Sequence, residues 1–311
     1  MSTINVDETQ WYATGASARV FSGHESFACR YGWLPKLYEA IQIDPELFGS
    51  DERAIVALGL GRNMVKSIRF WGEAFGIMEI RGGRASATPF GERLLDVATG
   101  LDPYLEDPGS LWRLHWRIAS HAGLGAWVIA FQENADPEIS RDRLVELVRA
   151  RAVTTRGSIT TGTASAHIDM LLRTYDAGKP SDGAVEDTLG CPLQELGLIL
   201  VATAAGRPSV RMSRGARAGL DAGAFAFALL DFWRGAAAGS RSLSVRSLML
   251  ERRSPGSILR LDETALHEQL LSVCARTGAL RLREDGAGST DLVATTDDHL
   301  EQLERLAWPN L

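Results

Sequence analysis

SDERAIVALGLGRNMVKSIRFWGEAFGIMEIRGGRASATPF, residues 50–90, is the stretch whose reading decides the fold. Ser50 ahead of Asp51 and Glu52 is an N-cap followed by first-turn acids, and the apolar run Ala54 to Leu58 stops at Gly59-Leu60-Gly61. This predicts a short helix and a tight turn. Met64, Ile68, Trp71 and Phe75 then recur at offsets of four, three and four, so they share one helical stripe facing a core. Arg62, Lys66, Arg69 and Glu73 form the opposite stripe. Gly76 stands where a helix C-cap takes a left-handed residue, and Ile77 to Ile80 and Ala85 to Ala87 predict a tight hairpin around Arg81-Gly82-Gly83-Arg84. Thr88-Pro89 supplies an N-cap and an N1 proline for a further helix that starts with Phe90, Leu94 and Leu95.

Helix, turn, helix, hairpin is winged-helix order. In such modules the second helix enters the major groove, and a basic wing reaches the neighbouring backbone. On that reading the DNA-binding residues are Arg62, Asn63, Lys66 and Arg69 on the helix and Arg81 and Arg84 at the hairpin tip. Asn63 is the base-edge candidate, because its amide can pair bidentately with adenine; Arg69 either reads guanine or holds phosphate. Residues 53–93 carry seven Lys and Arg against three acids in a chain of net charge −6, an asymmetry that favours nucleic acid. The other reading is a winged helix used only for packing or protein contacts.

At 311 residues, 45% apolar and 23% charged, the chain has the composition of a globular protein with room for two or three cores, neither disordered nor fibrous. It has no apolar run of bilayer length, and Met1 to Gln10 lacks a signal-peptide pattern, so a cytoplasmic protein is expected. Cys29, Cys191 and Cys274 lack the spacing of a zinc site or disulfide framework.

The expected fold is mainly α with small β-hairpins (α+β), in multiple winged-helix-like units. An N-terminal helical domain, 1–135, contains the winged helix at about 50–97 and opens on a flexible or edge-pairing lead-in over the first twenty residues. A middle helical and hairpin domain, 136–238, follows, with strands expected at Leu196 to Thr203 and Ser209 to Ser213. Arg207, Arg211, Arg214 and Arg217 lie on that hairpin and its exit; they form either a second phosphate-contacting wing or an exposed arginine face. A winged-helix-like cap, 239–311, places a hairpin around Asp285-Gly286-Ala287-Gly288, and its acidic surface suits partner or dimer contacts. His115, on an apolar helix, reads as a satisfied core polar group.

Phosphate-binding loop, nucleophile elbow and paired-histidine zinc signatures are all missing from the sequence. The remaining chemical candidate is Phe21-Ser22-Gly23-His24-Glu25-Ser26-Phe27, followed by Arg30 and Trp33. His24 and Glu25 either activate water or hold a divalent metal, with Arg30 stabilising a pentavalent phosphate, or they serve capping and buried hydrogen bonding. Adjacent residues on a strand point apart, so joint action requires a turn, which Gly23 permits. Asp102, Glu106 and Asp107 form a carboxylate cluster that reads as a helix cap at Gly109 in preference to a metal site.

The chain also resembles the SspB-like family, a domain-of-unknown-function family of phosphorothioation-associated phage-defence proteins. The resemblance rests on residues 21–27, Arg30-Tyr31-Gly32-Trp33-Leu34, residues 58–71, Thr88-Pro89-Phe90-Gly91, residues 102–109, residues 191–199 and Ser254-Pro255-Gly256. It implies a DNA-nicking step that opens one strand for sulfur insertion, beside a cysteine desulfurase, an ATPase and an ATP-pyrophosphatase-like protein. It supplies no catalytic residues. With it come the expectations of a homodimer on double-stranded DNA, magnesium or manganese as cofactor, and no organic cofactor.

Overall fold

The computed structural model describes residues 20–155, 157–176, 178, 190–204, 207–284, 286 and 288–310. The expected lead-in up to residue 19, and Asp285 and Ala287 of the last turn, lie outside them.

Helix α1 (Trp33–Ile43) buries Trp33, Leu34, Leu37, Tyr38 and Ile41, one stripe at helical spacing. Helix α2 (Asp51–Leu58) is capped by Ser50, whose hydroxyl accepts from the Arg53 amide, and ends at Gly59 in left-handed backbone, φ 62°. Helix α3 (Arg62–Ala74) buries Ile68 and Trp71 as expected, while Val65 and Ser67 are buried in place of the half-buried Met64. Gly72 lets α1 approach α3 closely, because a Cβ there would run into the Leu37 side chain.

Strands β1 (Met78–Arg81) and β2 (Arg84–Ala87) pair antiparallel with Arg81 opposite Arg84. The turn residues Gly82 and Gly83 both have positive φ, 57° and 81°, as a two-residue type I′ hairpin requires. Thr88 accepts from the Gly91 amide at 3.0 Å and starts α4 (Pro89–Leu95). The elements between Ser50 and Leu95 thus occur in the order read from the sequence.

Helix α5 (Pro108–Ser120) runs through the core, burying Trp112, Leu114 and Trp116. It leads through the helical segments Gly125–Trp127 and Val128–Glu133 to β3 (Glu138–Ser140), α6 (Arg141–Thr155) and α7 (Thr161–Tyr175). Strands β4 (Leu200–Ala204) and β5 (Arg207–Arg211) come next, then α8 (Ala222–Ala236), β6 (Ser242–Ser244), α9 (Val245–Leu250) and α10 (Glu263–Thr277). Strands β7 (Leu280–Glu284) and β8 (Thr290–Ala294) and helix α11 (His299–Ala307) close the chain. The protein is therefore mainly helical with small antiparallel sheets, an α+β fold.

Both later hairpins are three-stranded, in the orders β3-β5-β4 and β6-β8-β7. The added strands, β3 and β6, have three residues each, too few for an alternation to show in sequence. Helix α8 packs on both α5 and α11, and the indoles of Trp71 and Trp127, 6.1 Å apart, join α3 to the segment after α5. No helix among the described residues is long and apolar enough to cross a membrane.

Two polar expectations resolve in the core. His115 is fully enclosed, with Nδ1 2.8 Å from the Tyr175 hydroxyl and Nε2 2.9 Å from the Ile258 carbonyl. Burial lowers its pKa to about 4. The phosphate-wing reading of the middle hairpin fails for Arg214 and Arg217. Arg214 donates to the carbonyls of Gly256 and Leu261, and Arg217 to those of Leu259 and Arg260. Their guanidiniums are occupied in holding the 256–261 segment. Arg211 pairs with Glu138 at 3.2 Å, and the Arg207 side chain lies outside the described residues.

Candidate nucleic-acid interface

The outward stripe of α3 presents Arg62, Asn63, Lys66 and Arg69, and the hairpin tip presents Arg81 and Arg84, all exposed. Most of these cations already have acid partners. Arg62 lies 3.4 Å from Asp51 and 4.0 Å from Glu52, Arg69 lies 3.8 Å from Glu73, Arg81 3.0 Å from Glu79, and Arg84 2.9 Å from Glu46. Arg69 also stacks over the Phe48 ring at 5.6 Å. Among the described residues, Lys66 has no acid within ion-pair distance.

This arrangement changes the charge argument. The count of seven cations against three acids began at residue 53, but Asp44, Glu46, Asp51 and Glu52 lie just before it and fold against the same face. Counted over 44–93 the balance is seven to seven. Phosphates would have to displace exposed pairs, each worth about 0–1 kcal/mol.

Behind α3 sits the 23–27 segment. Gly23, Glu25 and Ser26 have φ of 118°, 48° and 67°, and the Phe27 amide donates to the His24 carbonyl at 3.0 Å. The chain here is a tight turn with two non-glycine residues in the left-handed region, a conformation that costs of order 1–3 kcal/mol per residue. Helix α3 pins it from inside: the Ser67 hydroxyl is 3.1 Å from the carbonyls of both His24 and Phe27, and Trp71 Nε1 donates to Phe27 O at 2.8 Å. From α7, Arg173 donates to the Ser26 carbonyl at 3.2 Å.

The turn splits the expected chemical pair. His24 is 6% exposed and packs edge-on to Phe70. Glu25 is exposed. The two remain electrostatically coupled, since burial pushes the His24 pKa down while Glu25 partly offsets the shift and Arg173 adds to it. Arg30 is half-buried with its guanidinium 5.9 Å from the Trp33 ring.

The nearest ring partner of His24 is one the sequence reading did not select. His167 of α7 stacks on it, with His24 Nε2 3.5 Å from His167 Nδ1. Burial lowers the His167 pKa to about 3. The outer nitrogens, His24 Nδ1 and His167 Nε2, are buried without a hydrogen-bond partner. The available signal was a histidine in the apolar stripe Ala164, Ile168, Leu171 of α7, which is far from the motif in sequence.

Asp107 accepts from the Gly109 amide at 2.8 Å as the N-cap of α5, and Asp102 accepts from the amides of Glu106 and Asp107. These acids are capping groups, as read. Among the described residues no three His, Cys, Asp or Glu side chains converge as metal ligands. These described side chains therefore do not fit a protein-built cation cage.

Residues 21–307 match the family described as "Protein of unknown function (DUF4007)". Among curated proteins none matches. Two solved structures are similar over nearly the whole chain. One is described as "SspB crystal structure", 30% identical with TM-score 0.81, covering 95% of this chain and 90% of that one. The other is described as "Magnesium ion-bound SspB crystal structure", with the same identity and coverage and TM-score 0.82.

Proposed function

Because the chain belongs to the DUF4007 family and is SspB-like over its length, we propose that it works in a phosphorothioation-based phage-defence system as the DNA-nicking component, opening one strand for sulfur insertion. The observation that carries this reading is the turn at residues 23–27. It is strained and exposed at Glu25, and Ser67 and Trp71 fasten it to the inner side of the helix whose outer side bears Arg62, Asn63, Lys66 and Arg69. Strain of this kind concentrates at functional sites.

In this reading the winged-helix segment docks the duplex, with Lys66 and the α3 arginines on phosphate and Arg81 and Arg84 on the adjacent backbone. The Glu25 carboxylate takes a proton from the attacking water. His24, kept neutral by burial, holds the turn in register, and Arg30 meets charge developing on the phosphate. Magnesium is carried over from the similar solved structure described as magnesium ion-bound; with no cage of side chains among the described residues, substrate phosphate oxygens and water would supply most of its ligands. The partners are a cysteine desulfurase, an ATPase and an ATP-pyrophosphatase-like protein, and the chain acts as a homodimer in the cytoplasm.

A second reading, a non-catalytic scaffold that recognises DNA and recruits the modification enzymes, is favoured by the burial of His24 and by the balanced charge of residues 44–93. Conversion of supercoiled plasmid to open circles, with magnesium, with EDTA, and with Glu25→Gln, separates the two. Magnesium-dependent open circles that disappear in Glu25→Gln support the nickase. Binding without nicking, even with the partner proteins added, leaves the scaffold.

A further inference from the structure

The 23–27 turn is gripped from two sides, and each side leaves a cation beside its exposed rim. Glu25 and Ser26 form that rim, with His24 buried beneath them. On one side Ser67 and Phe70 of α3 meet the turn. Phe70 lies one helical turn beyond Lys66, so Lys66 stands on the edge of α3 that borders the turn. On the other side is α7, whose His167 meets His24 and whose last turn carries Arg173. Arg173 is exposed, and its Nη1 donates to the Ser26 carbonyl at 3.2 Å. Its own carbonyl accepts from Gln194 Nε2 at 2.8 Å, which fixes the end of the helix from which it projects. Among the described residues no acid lies within ion-pair distance of Arg173, and only Nη1 of its guanidinium is hydrogen-bonded. Its charge is close enough to help hold the His24 pKa down.

The α3 and hairpin arginines are each matched by an acid, whereas the rim of the turn carries Lys66 and Arg173 against the single carboxylate of Glu25. The rim is therefore net positive. We propose that Arg173 is a phosphate-binding residue of the nucleic-acid interface, so that a duplex lying on α3 continues over the 23–27 turn onto α7. This rests on the DNA-binding reading above and holds equally for a nickase and for a scaffold. A guanidinium has five N–H donors in a rigid fork that matches phosphate oxygens, and Arg173 spends only those of Nη1 on the protein. The Ser26 contact also restrains the side chain before a phosphate arrives, which lowers the ordering cost of binding. Arg173 thus adds a backbone contact on a second helix, which positions the duplex without reading its sequence.

Fluorescence anisotropy of a labelled DNA duplex with the full chain, over a salt series in EDTA so that cleavage plays no part, tests the contact. Arg173→Gln can still donate to the Ser26 carbonyl but has lost its charge. It should weaken binding roughly tenfold at low salt and lower the slope of log affinity against log salt by about 0.9. Arg173→Lys, which keeps the charge, should keep the wild-type slope. A purely structural role in holding the turn predicts the reverse order, with the slope indifferent to charge. In the wild-type chain, bound duplex should also protect Arg173 from modification by phenylglyoxal, read by mass spectrometry. An unchanged slope and affinity in a folded Arg173→Gln variant, while Lys66→Ala lowers the slope, overturns this inference and leaves the α3 face standing. No salt-dependent binding by the wild type overturns the DNA reading itself, and this inference with it. Should Arg173→Gln fail to fold, the protection experiment decides: Arg173 modified equally with and without duplex overturns the contact.

Discussion

His24 and His167 stack their imidazoles with centroids 5.7 Å apart and planes 10° from parallel, although 143 positions separate them in the chain. Burial lowers both pKa values, and a charge on either ring would oppose a charge on the other. The stack is therefore neutral at neutral pH. It ties the 23–27 turn of the N-terminal part to α7.

The buried histidines set an acid limit on stability. Unfolded, each histidine titrates near 6.5; folded, His167 titrates at about 3 and His115 at about 4. Between these values the unfolded chain binds more protons, so stability is full above about pH 6.5 and falls as pH drops toward the folded pKa. Each should contribute a loss of about 2 kcal/mol at pH 5. Thermal melts at pH 7 and pH 5 check this, and His115→Gln should reduce the difference between them. Equal melting temperatures at the two pH values in the wild type would refute it.

Glu25 holds a left-handed φ of 48° that glycine adopts without strain. Glu25→Gly is expected to raise stability by about 1 kcal/mol while abolishing nicking. Denaturant melts beside the plasmid assay read both effects. A destabilised variant would mean that the Glu25 side chain supports the fold.

On the α3 face, Lys66 can meet a phosphate without first leaving an acid, whereas Arg62 must leave Asp51 and Glu52. Lys66→Ala should weaken DNA binding more than Arg62→Ala and lower the slope of log affinity against log salt by about 0.9. Fluorescence anisotropy over a salt series measures this. An unchanged slope in both variants removes α3 as the DNA face.

Asp107→Ala removes the cap on α5 and should cost about 1 kcal/mol of stability, with nicking per folded molecule unchanged. Loss of nicking with full stability would return Asp107 to the chemistry.

The segment 50–95 was legible because each of its signals is local. Ser50 and Thr88 cap helices through amides three residues ahead, Gly82-Gly83 permits only a narrow set of turns, and the α3 stripe is visible at helical spacing. The candidate site was only half legible. His24 and Glu25 can be picked from the motif, but a motif does not state that one is buried and the other exposed. The charge asymmetry read at residues 53–93 was cancelled by acids a few residues earlier that fold onto the same face.

Sequence alone thus determined the helices, caps and tight turns, the mainly helical α+β class and the family resemblance, because each depends on contacts within a few residues or on contiguous motifs. Tertiary structure alone decided the His24–His167 stack, the binding of Arg214 and Arg217 to carbonyls of the 256–261 segment, the third strands β3 and β6, and the hydrogen bond from Arg173 to the 23–27 turn. Each of these joins residues dozens to more than a hundred positions apart. Which buried polar group meets which is settled by the packing of whole helices around the tryptophan core, and no local pattern encodes that choice.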